Sequence, residues 1–289
     1  MNTKMWANHA KRSNERWAAG GASREQGVQI RMDLATGKSI IQGMNAKCDP
    51  NTAELVEFLS ANLRSTGELA GDAAMNSDSS TGMATFAARH ASRRRFSPSL
   101  AYGRHFAPPL PSARHAAVMI LFEPRGAGWS IPLTVRPHHL PDHPGQVCLP
   151  GGRLEPGETI VEAAEREFCE ELGLKQFPAR TLGQLQSIYV FNSDFYLTPC
   201  LAVVDRELEY QPNADEVESI VHLPLECLLD LGRHVIRAHA RGSISWTALG
   251  IESQGVHIWG ATAIVLGELA AIMPPAYPSP EGGNYLPVA

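Results

Sequence analysis

The stretch GQVCLPGGRLEPGETIVEAAEREFCEELGL, from Gly145 to Leu174, carries seven glutamates between Glu155 and Glu171. Like charges one helical turn apart destabilise the helix that carries them. The rest of the chain is not strongly charged, since the formal charge is only -5 over 289 residues. This local concentration of carboxylates therefore indicates a segment that binds something of opposite charge.

Local signals predict a helix within this stretch. Thr159 and Glu162 have the spacing of a capping box, and Gly173 suits the position just after the last helical turn. We therefore predict a helix over residues 160–172. Its apolar face, which should pack on a sheet, consists of Ile160, Val161, Ala164, Phe168 and Leu172.

The polar side of this helix carries a group of three carboxylates. Glu167, Glu170 and Glu171 stand at positions i, i+3 and i+4, and Arg166 lies four residues before Glu170, within pairing distance. Three converging carboxylates are costly unless a cation neutralises them, and Mg²⁺ or Mn²⁺ prefers such oxygen ligands. The alternative is an ordinary solvated acidic face, which short motifs often prove to be.

The spacing of nine residues decides between these interpretations. The pattern G-x5-E-x7-R-E-U-x-E-E-x-G-U, in which U is a bulky apolar residue, is matched by Gly152, Glu158, Arg166, Glu167, Phe168, Glu170, Glu171, Gly173 and Leu174. The chain thus resembles the Nudix hydrolases, whose box this is. The resemblance implies an α/β protein, an α/β/α sandwich with a mixed sheet, that cleaves nucleoside diphosphates linked to another moiety.

The resemblance also implies a role for each charged residue of the box. Glu167, Glu170 and Glu171 would supply the main ligands of a divalent metal, and Arg166 would orient them. Glu158 would brace the loop against the helix. These residues form the predicted catalytic centre of a metal-dependent pyrophosphatase with Mg²⁺ or Mn²⁺ as its cofactor.

Two further roles follow from the same resemblance. Gly151 and Gly152 would bring the backbone close to the metal and the phosphates, a task that requires the absence of a side chain. A carboxylate would remove a proton from the attacking water. The general base differs among these enzymes, and the candidates here are Glu167, Asp215, Glu216 and Glu218.

A second layer of resemblance concerns the substrate. LTVRPHHLPDHPGQVCLPGG, residues 133–152, is similar to the stretch that marks the coenzyme A pyrophosphatase branch, and the similarity extends over about 110–273. It implies substrate contacts by Arg136 and Gln146. A guanidinium binds phosphate bidentately, which suits Arg136 to an anionic group. His143 is either a further substrate contact or a structural, hydrogen-bonded histidine.

The branch resemblance implies hydrolysis of coenzyme A or acyl-coenzyme A to 3′,5′-ADP and 4′-phosphopantetheine or its acyl form. Three residues depart from the branch: Pro141 stands where a basic residue is usual, Leu149 replaces a Phe, and Asp194 stands where Gly is common. Another diphosphate, such as ADP-ribose, a dinucleotide or a nucleoside triphosphate, is the alternative substrate. A non-catalytic Nudix-fold binding protein is a third interpretation, against which the complete carboxylate set argues.

Bulk properties exclude several other classes of protein. The modest negative charge gives no general attraction to nucleic acid or to an anionic membrane. The N-terminal residues lack the apolar core of a signal peptide, and no apolar run is long enough for a spanning helix. The five cysteines are scattered without a CxxC pair. We therefore expect a cytoplasmic enzyme with a small-molecule substrate, without nucleic-acid or membrane partners, and leave open a homodimer.

Composition predicts four regions along the chain. Residues 1–50 are expected to be disordered, and 51–110 to form an N-terminal extension with one amphipathic helix at 53–63. Residues 111–273 should form the Nudix domain, beginning with a β-hairpin from Ala113, and 274–289 a flexible tail. The extension contains ASRRRF, residues 91–96, a candidate nucleic-acid patch, although such arginines are more often solvated.

Overall fold

The computed structural model describes residues 29–33, 38–42, 55–56, 58–60, 63, 79–126, 128–141 and 143–273. The chain divides into two units, Met1–Lys47 and Cys48–Ala289. In the first unit, strand β1 (Gln29–Asp33) pairs antiparallel with β2 (Lys38–Gln42). Both strands lie within residues 1–50, whose predicted disorder stays a prediction. The predicted tail, 274–289, lies outside the described residues.

The second unit is built on an eight-stranded mixed sheet. Its strands are β3 (Arg114–Arg125), β4 (Gly128–Val135), β5 (Val147–Cys148), β6 (Gly151–Arg153), β7 (Arg180–Gln184), β8 (Ile188–Val190), β9 (Phe195–Val203) and β10 (Ser219–Pro224). The central order is β10-β4-β3-β9-β7, with β5, β6 and β8 added to β4, β3 and β9. β3 runs parallel to β9 and antiparallel to β4, which confirms the predicted hairpin.

The central strand β3 explains why the sheet has a core on each side. Its side chains alternate between two apolar clusters: Val118, Ile120 and Phe122 belong to the first, and Ala117, Met119 and Leu121 to the second. A strand that is buried on both faces carries a continuous apolar run. The sequence AAVMILF, residues 116–122, is such a run.

Helices cover both faces of this sheet. The described helices of the second unit with printed ends are α1 (Ser79–Phe96), α2 (Ile160–Leu172), α3 (Leu225–Leu229) and α4 (Ala261–Ile272). α2 packs on the second cluster, while α4 and the buried Leu55, Leu59 and Leu63 of the predicted amphipathic helix belong to the first. This arrangement confirms the α/β/α sandwich. None of the helices in the described ranges is long and apolar enough to span a membrane.

A helix that the sequence did not predict, α1, packs along α4. Its Arg89 and Arg93 are buried and both contact the buried carboxylate of Glu268, Arg89 at 3.4 Å. The expectation that the ASRRRF arginines are solvated is therefore wrong for Arg93, although Arg94 and Arg95 are exposed. Apolar spacing does not predict this helix, because two of its buried residues are arginines, which count as polar in such a pattern.

A second, three-stranded sheet lies near the end of the described chain. Strands β11 (His234–Arg241), β12 (Ile244–Ser253) and β13 (Val256–Ile258) pair antiparallel in that order. Ile251 and Ile258 reach the first cluster, whereas most of β11 is exposed, including Ile236. These strands were not predicted, because their apolar residues do not mark a single buried face.

Candidate active site

The helix α2 begins and ends where the sequence predicts. The hydroxyl of Thr159 accepts the backbone N–H of Glu162 at 3.3 Å, and the Glu162 carboxylate accepts the N–H of Thr159 at 2.8 Å. Gly173 ends the helix with φ 70°. A side chain there would collide with the Gln211 carbonyl, since a Cβ would lie 1.8 Å from that oxygen. The capping box and this glycine therefore fix which residues of the acidic stretch are helical.

The two glycines of β6 are required by close packing. A Cβ on Gly151 would lie 2.2 Å from the carbonyl oxygen of Ala117 in β3, and Gly151 has φ 151°. A Cβ on Gly152 would lie 2.5 Å from the carboxylate of Glu167. The missing side chains thus let the loop lie against β3 on one side and against a box carboxylate on the other.

Arg166 holds the acidic residues together. Its Nε and Nη2 donate to the two carboxylate oxygens of Glu158, at 2.8 and 3.0 Å. Its Nη1 donates to Glu167 at 3.0 Å and to Glu170 at 3.1 Å. Nη2 also donates to the carbonyl of Arg153 at 3.1 Å, so the arginine ties the helix to β6. The hydrogen bonds from Arg166 lower the pKa of Glu158.

Glu171 lies in the most crowded electrostatic environment of the site. Burial and the charges of Glu167 and Glu216 raise the pKa of Glu171 to about 8, against the positive charge of Arg136 and a hydrogen bond from the Gly151 backbone. Burial likewise raises the pKa of Glu167, which Arg166 partly opposes. The site thus holds more negative charge than its own arginines compensate, which is a condition that favours a bound cation.

A loop that hydrogen-bonds to the end of α2 brings further acidic residues to the site. The N–H of Asn213 donates to the carbonyl of Glu171 at 3.0 Å, and the Asn213 carbonyl accepts the N–H of Glu216 at 3.0 Å. Of the candidate bases in this loop, Glu216 is close enough for its charge to act on Glu167 and Glu171. The Glu218 carboxylate instead accepts the backbone N–H of His138 at 3.3 Å.

The acidic residues of the site are the possible ligands of a divalent metal ion. Within the described ranges, no three His, Cys, Asp or Glu side chains are already arranged around one point as a metal site. The Glu170 side chain is 56% exposed and is held by Arg166. The chemistry of the set nevertheless fits a hard cation, because only carboxylates are offered and Glu171 carries the raised pKa of a crowded anion.

Of the predicted substrate residues, Arg136 and Gln146 lie together, whereas His143 lies in an exposed turn. Arg136 and Gln146 are adjacent, since the N–H of Arg136 donates to the carbonyl of Gln146 at 3.0 Å, and the Arg136 charge acts on Glu171. His143 lies in an exposed turn with φ 55°, where its carbonyl accepts the Gln146 N–H. The structure therefore brings Arg136 to the carboxylates, while His143 holds the turn.

The departures from the coenzyme A branch have structural explanations in two cases. Leu149 is buried in the first cluster, where an aliphatic side chain replaces the usual Phe. Asp194 has φ 52°, a conformation that glycine adopts freely. Its carboxylate accepts the hydroxyls of Tyr189 at 2.9 Å and Ser112 at 3.1 Å, which stabilise the turn without glycine. Pro141 is exposed.

Thr134 is a site residue that the sequence analysis did not select. It is buried in β4, and its hydroxyl donates to the Glu171 carboxylate at 3.4 Å. Its position in LTVR, two residues before Arg136, was the available signal. The contact could not be foreseen because it depends on how β4 crosses the end of α2.

Comparisons with known proteins agree with this geometry. A family model described as NUDIX domain matches residues 112–241. The Nudix hydrolase NudL of Yersinia enterocolitica is 32% identical over 160 residues, which cover 55% of this chain and 81% of the relative. The Mus musculus protein named peroxisomal coenzyme A diphosphatase NUDT7 is 36% identical over 119 residues, 41% of this chain and 50% of the relative.

A third relative, Nudix hydrolase 3 of Caenorhabditis elegans, is 38% identical over 103 residues, 35% of this chain and 43% of the relative. The chain thus spans half or less of the two animal relatives and most of the bacterial one. The bacterial match, the family model and the complete box together lead to one conclusion. The chain belongs to the Nudix hydrolase family.

Proposed function

We propose that the protein hydrolyses the diphosphate bond of coenzyme A or an acyl-coenzyme A, giving 3′,5′-ADP and 4′-phosphopantetheine or its acyl form. The observation that carries the hydrolytic part is the carboxylate cluster at the end of α2, where Glu171 is crowded by Glu167 and Glu216. This cluster lies beside the backbone of Gly151, which donates a hydrogen bond to Glu171. A diphosphate and the cation that accompanies it complement both features.

Mg²⁺ or Mn²⁺ would be held by Glu167, Glu170 and Glu171. When bound, such an ion neutralises the diphosphate and lowers the pKa of a water molecule. Arg166 keeps Glu167 and Glu170 on the same side of the helix through one nitrogen, Nη1. Glu158 in turn holds Arg166 with two hydrogen bonds, so it acts as a positioning residue.

The protein's own groups would then carry the proton and orient the substrate. Water attacks phosphorus, the bridging P–O bond breaks, and a carboxylate takes the proton of the water. Glu167 and Glu216 are the base candidates favoured by position, because their charges act on one another and on Glu171. Arg136, whose charge acts on Glu171, would bind a phosphate oxygen.

The coenzyme A assignment has two supports. The segment over residues 133–152 is similar to that of the coenzyme A branch, and one relative carries the name coenzyme A diphosphatase. The second candidate is another nucleoside diphosphate derivative, such as ADP-ribose. The observation that favours it is Pro141, which offers no charge to the 3′-phosphate that distinguishes coenzyme A.

A panel of diphosphate substrates tests the proposal. The protein is incubated with coenzyme A, acetyl-coenzyme A, ADP-ribose, a diadenosine polyphosphate and ATP, each with Mg²⁺ or Mn²⁺ and with EDTA as the control. We expect 3′,5′-ADP from coenzyme A in the metal-containing reactions alone, as resolved by chromatography. Faster cleavage of ADP-ribose than of coenzyme A would favour the second candidate and retain the Nudix chemistry.

Dephospho-coenzyme A separates the two candidates more sharply, since it lacks only the 3′-phosphate. One charged contact is worth about 1.5 to 3 kcal/mol, or about ten- to a hundredfold in kcat/KM. With Pro141 in place of a cation, we expect about tenfold preference for coenzyme A. The Pro141→Arg variant should raise that preference, whereas equal kcat/KM values for the two compounds in the unmodified protein would contradict the coenzyme A assignment.

A further inference from the structure

One face of the three-stranded sheet carries a cluster of four aromatic rings, which we call the ring platform: His239, Trp246, His257 and Trp259. The ring centroid of His239 lies 4.1 Å from that of Trp259, 5.8 Å from that of Trp246 and 5.6 Å from that of His257. The planes of His239 and Trp246 are inclined by only 16°. The other ring pairs of the platform are inclined by 28° to 47°.

The strand register explains why these rings share a face. His239 of β11 is directly opposite Trp246 of β12, and His257 of β13 is opposite Glu252 of β12. Side chains two residues apart along a strand point to the same side. The other face of the sheet packs on the core through Ile251 and Ile258. The ring platform is thus the outer face, and its rings are only partly buried, apart from His257.

Two polar atoms of the platform have no partner in the structure. The Nε2 atoms of His239 and His257 are buried, and the described part of the chain offers neither a hydrogen bond. The His257 side chain is 6% exposed, and its Nδ1 lies 2.8 Å from the Glu252 carboxylate, which fixes the ring. Buried polar atoms are normally paired, so these two indicate a ligand that supplies hydrogen-bonding groups.

Glycine at position 250 allows this ring arrangement. A Cβ there would lie 2.4 Å from the carbonyl oxygen of Ile258 and 2.5 Å from Cε1 of His257, so that any other residue would displace both the strand and the imidazole. Burial lowers the pKa of both His239 and His257. Neutral, flat-lying imidazoles can stack on a heteroaromatic ring without placing a charge against it.

The platform lies beside the segment that contains the predicted substrate residues. β13 packs against β5, whose Val147 directly follows Gln146. Gly260, the neighbour of Trp259, lies so close to the Gln146 side chain that a Cβ there would be 3.3 Å from its amide nitrogen. Gln146 in turn bonds to Arg136 through the backbone. The platform therefore adjoins the segment that carries Arg136 and Gln146.

We propose that the ring platform is a binding subsite for the nucleobase of the substrate, which stacks on Trp246, His239 and Trp259. This proposal rests on the proposed function only in that the substrate is a nucleotide. A purine matches the observations better than an aliphatic chain does, because it offers both a flat π surface and, in adenine, an exocyclic amino group that can donate to the unpartnered Nε2 atom of His257. Stacking tolerates different bases, so the contact would contribute affinity more than base selectivity.

A binding experiment on the full chain tests the subsite without turnover. Tryptophan fluorescence is titrated with adenosine 3′,5′-bisphosphate and, separately, with ribose 5-phosphate, which carries no base. We expect the nucleotide to quench fluorescence at concentrations at least tenfold below those at which ribose 5-phosphate acts. Equal affinities for the two compounds in the unmodified protein would overturn the proposal whatever the variants do.

Variants then locate the contact. Trp246→Leu and His239→Ala should each raise the dissociation constant of the nucleotide about five- to 150-fold, the range of base–aromatic stacking. Trp246→Phe keeps a ring and should retain most of the affinity. Ile236→Ala is the matched control, since Ile236 is exposed on the opposite face of β11 and should leave binding unchanged. Thermal melting of each variant shows that it is folded.

Kinetics distinguish this subsite from the proposed function. With whichever nucleoside diphosphate the protein cleaves, Trp246→Leu should raise KM and leave kcat within about twofold. Folded Trp246→Leu and His239→Ala proteins that bind the nucleotide as tightly as the unmodified protein would show that the rings serve packing alone. Failure to cleave coenzyme A would instead refute the substrate assignment and leave the base subsite intact.

Discussion

The helices α1 and α2 both carry charged side chains against the body of the protein, but they neutralise them differently. In α1, Arg89 and Arg93 face the single carboxylate of Glu268, and all three side chains are buried. In α2, Arg166 faces several glutamates, and Glu171 is left among other carboxylates. In the first arrangement the charges neutralise one another, and the ion pairs join α1 to α4. The second has surplus charge on one face, which suits it to a cation and a substrate.

The largest expected effect is on catalysis, from the Glu171→Gln variant. It removes a predicted metal ligand while keeping the size of the side chain. We expect kcat/KM to fall about a thousandfold or more, which corresponds to about 4 kcal/mol of transition-state stabilisation. Glu155→Gln is the control, because that glutamate belongs to the same box and bonds to Glu158 through its backbone N–H and carbonyl, which the change leaves in place. A Glu171→Gln enzyme within tenfold of the unmodified protein would contradict the metal assignment.

The second largest effect is expected on the free energy of unfolding, from the Glu268→Gln variant. This change leaves Arg89 and Arg93 buried without a carboxylate, and breaking a buried ion pair costs about 3 kcal/mol or more. Urea unfolding measures the loss. Arg206→Ala is the control, since Arg206 and Asp205 form an exposed pair that should contribute less than about 1 kcal/mol. A Glu268→Gln protein as stable as this control would show that α1 does not depend on the ion pair.

The close contact between β6 and α2 provides a third test. A methyl group on Gly152 would lie 2.5 Å from the Glu167 carboxylate, so Gly152→Ala must displace that side chain. A shift of about 1 Å at a catalytic group can cost about a hundredfold in rate. We expect kcat to fall by about that factor with little change in melting temperature. Gly128→Ala, whose Cβ would meet only Glu226 at an ordinary 3.7 Å, should retain full activity.

The smallest expected effect is the pH dependence of stability in the metal-free protein. Because folding raises the pKa of Glu171 from 4.5 to about 8, the folded state binds this proton more tightly than the unfolded state. The associated stability is present below pH 4.5 and is lost as the pH rises to about 8. The free energy of unfolding in EDTA, measured at pH 5 and pH 8, should show this decline, and Glu171→Gln should reduce it. Saturating Mn²⁺ should oppose the loss, since the cation replaces the proton.

Much of the site was predictable because its determinants are local in sequence. The capping box at Thr159, the terminating Gly173 and the apolar spacing between them specify α2 without reference to other elements. The pairing of Arg166 with Glu170 follows from one helical turn. The bond between Arg166 and Glu158 spans only eight residues, but the family resemblance implied a bracing role for Glu158 without naming Arg166 as its partner.

Contacts between distant segments could not be predicted in the same way. Thr134 reaches Glu171 across 37 residues, and Arg93 reaches Glu268 across 175. Residues 234–258 form a separate sheet although their strands show no single apolar face. In each case the contacts of a side chain depend on which other element packs beside it.

Periodicity and caps predicted the box helix, and motif spacing predicted the acidic residues and the family, because these signals act over a few helical turns. The family resemblance implied the α/β/α layers. Which charges are neutralised inside the protein and which remain for a ligand depends instead on the packing of distant segments. That distinction depends on burial and on the distance to charges elsewhere in the chain, as Arg93 and Glu171 illustrate. The same dependence on packing assembled the ring platform from three strands that no local pattern had marked.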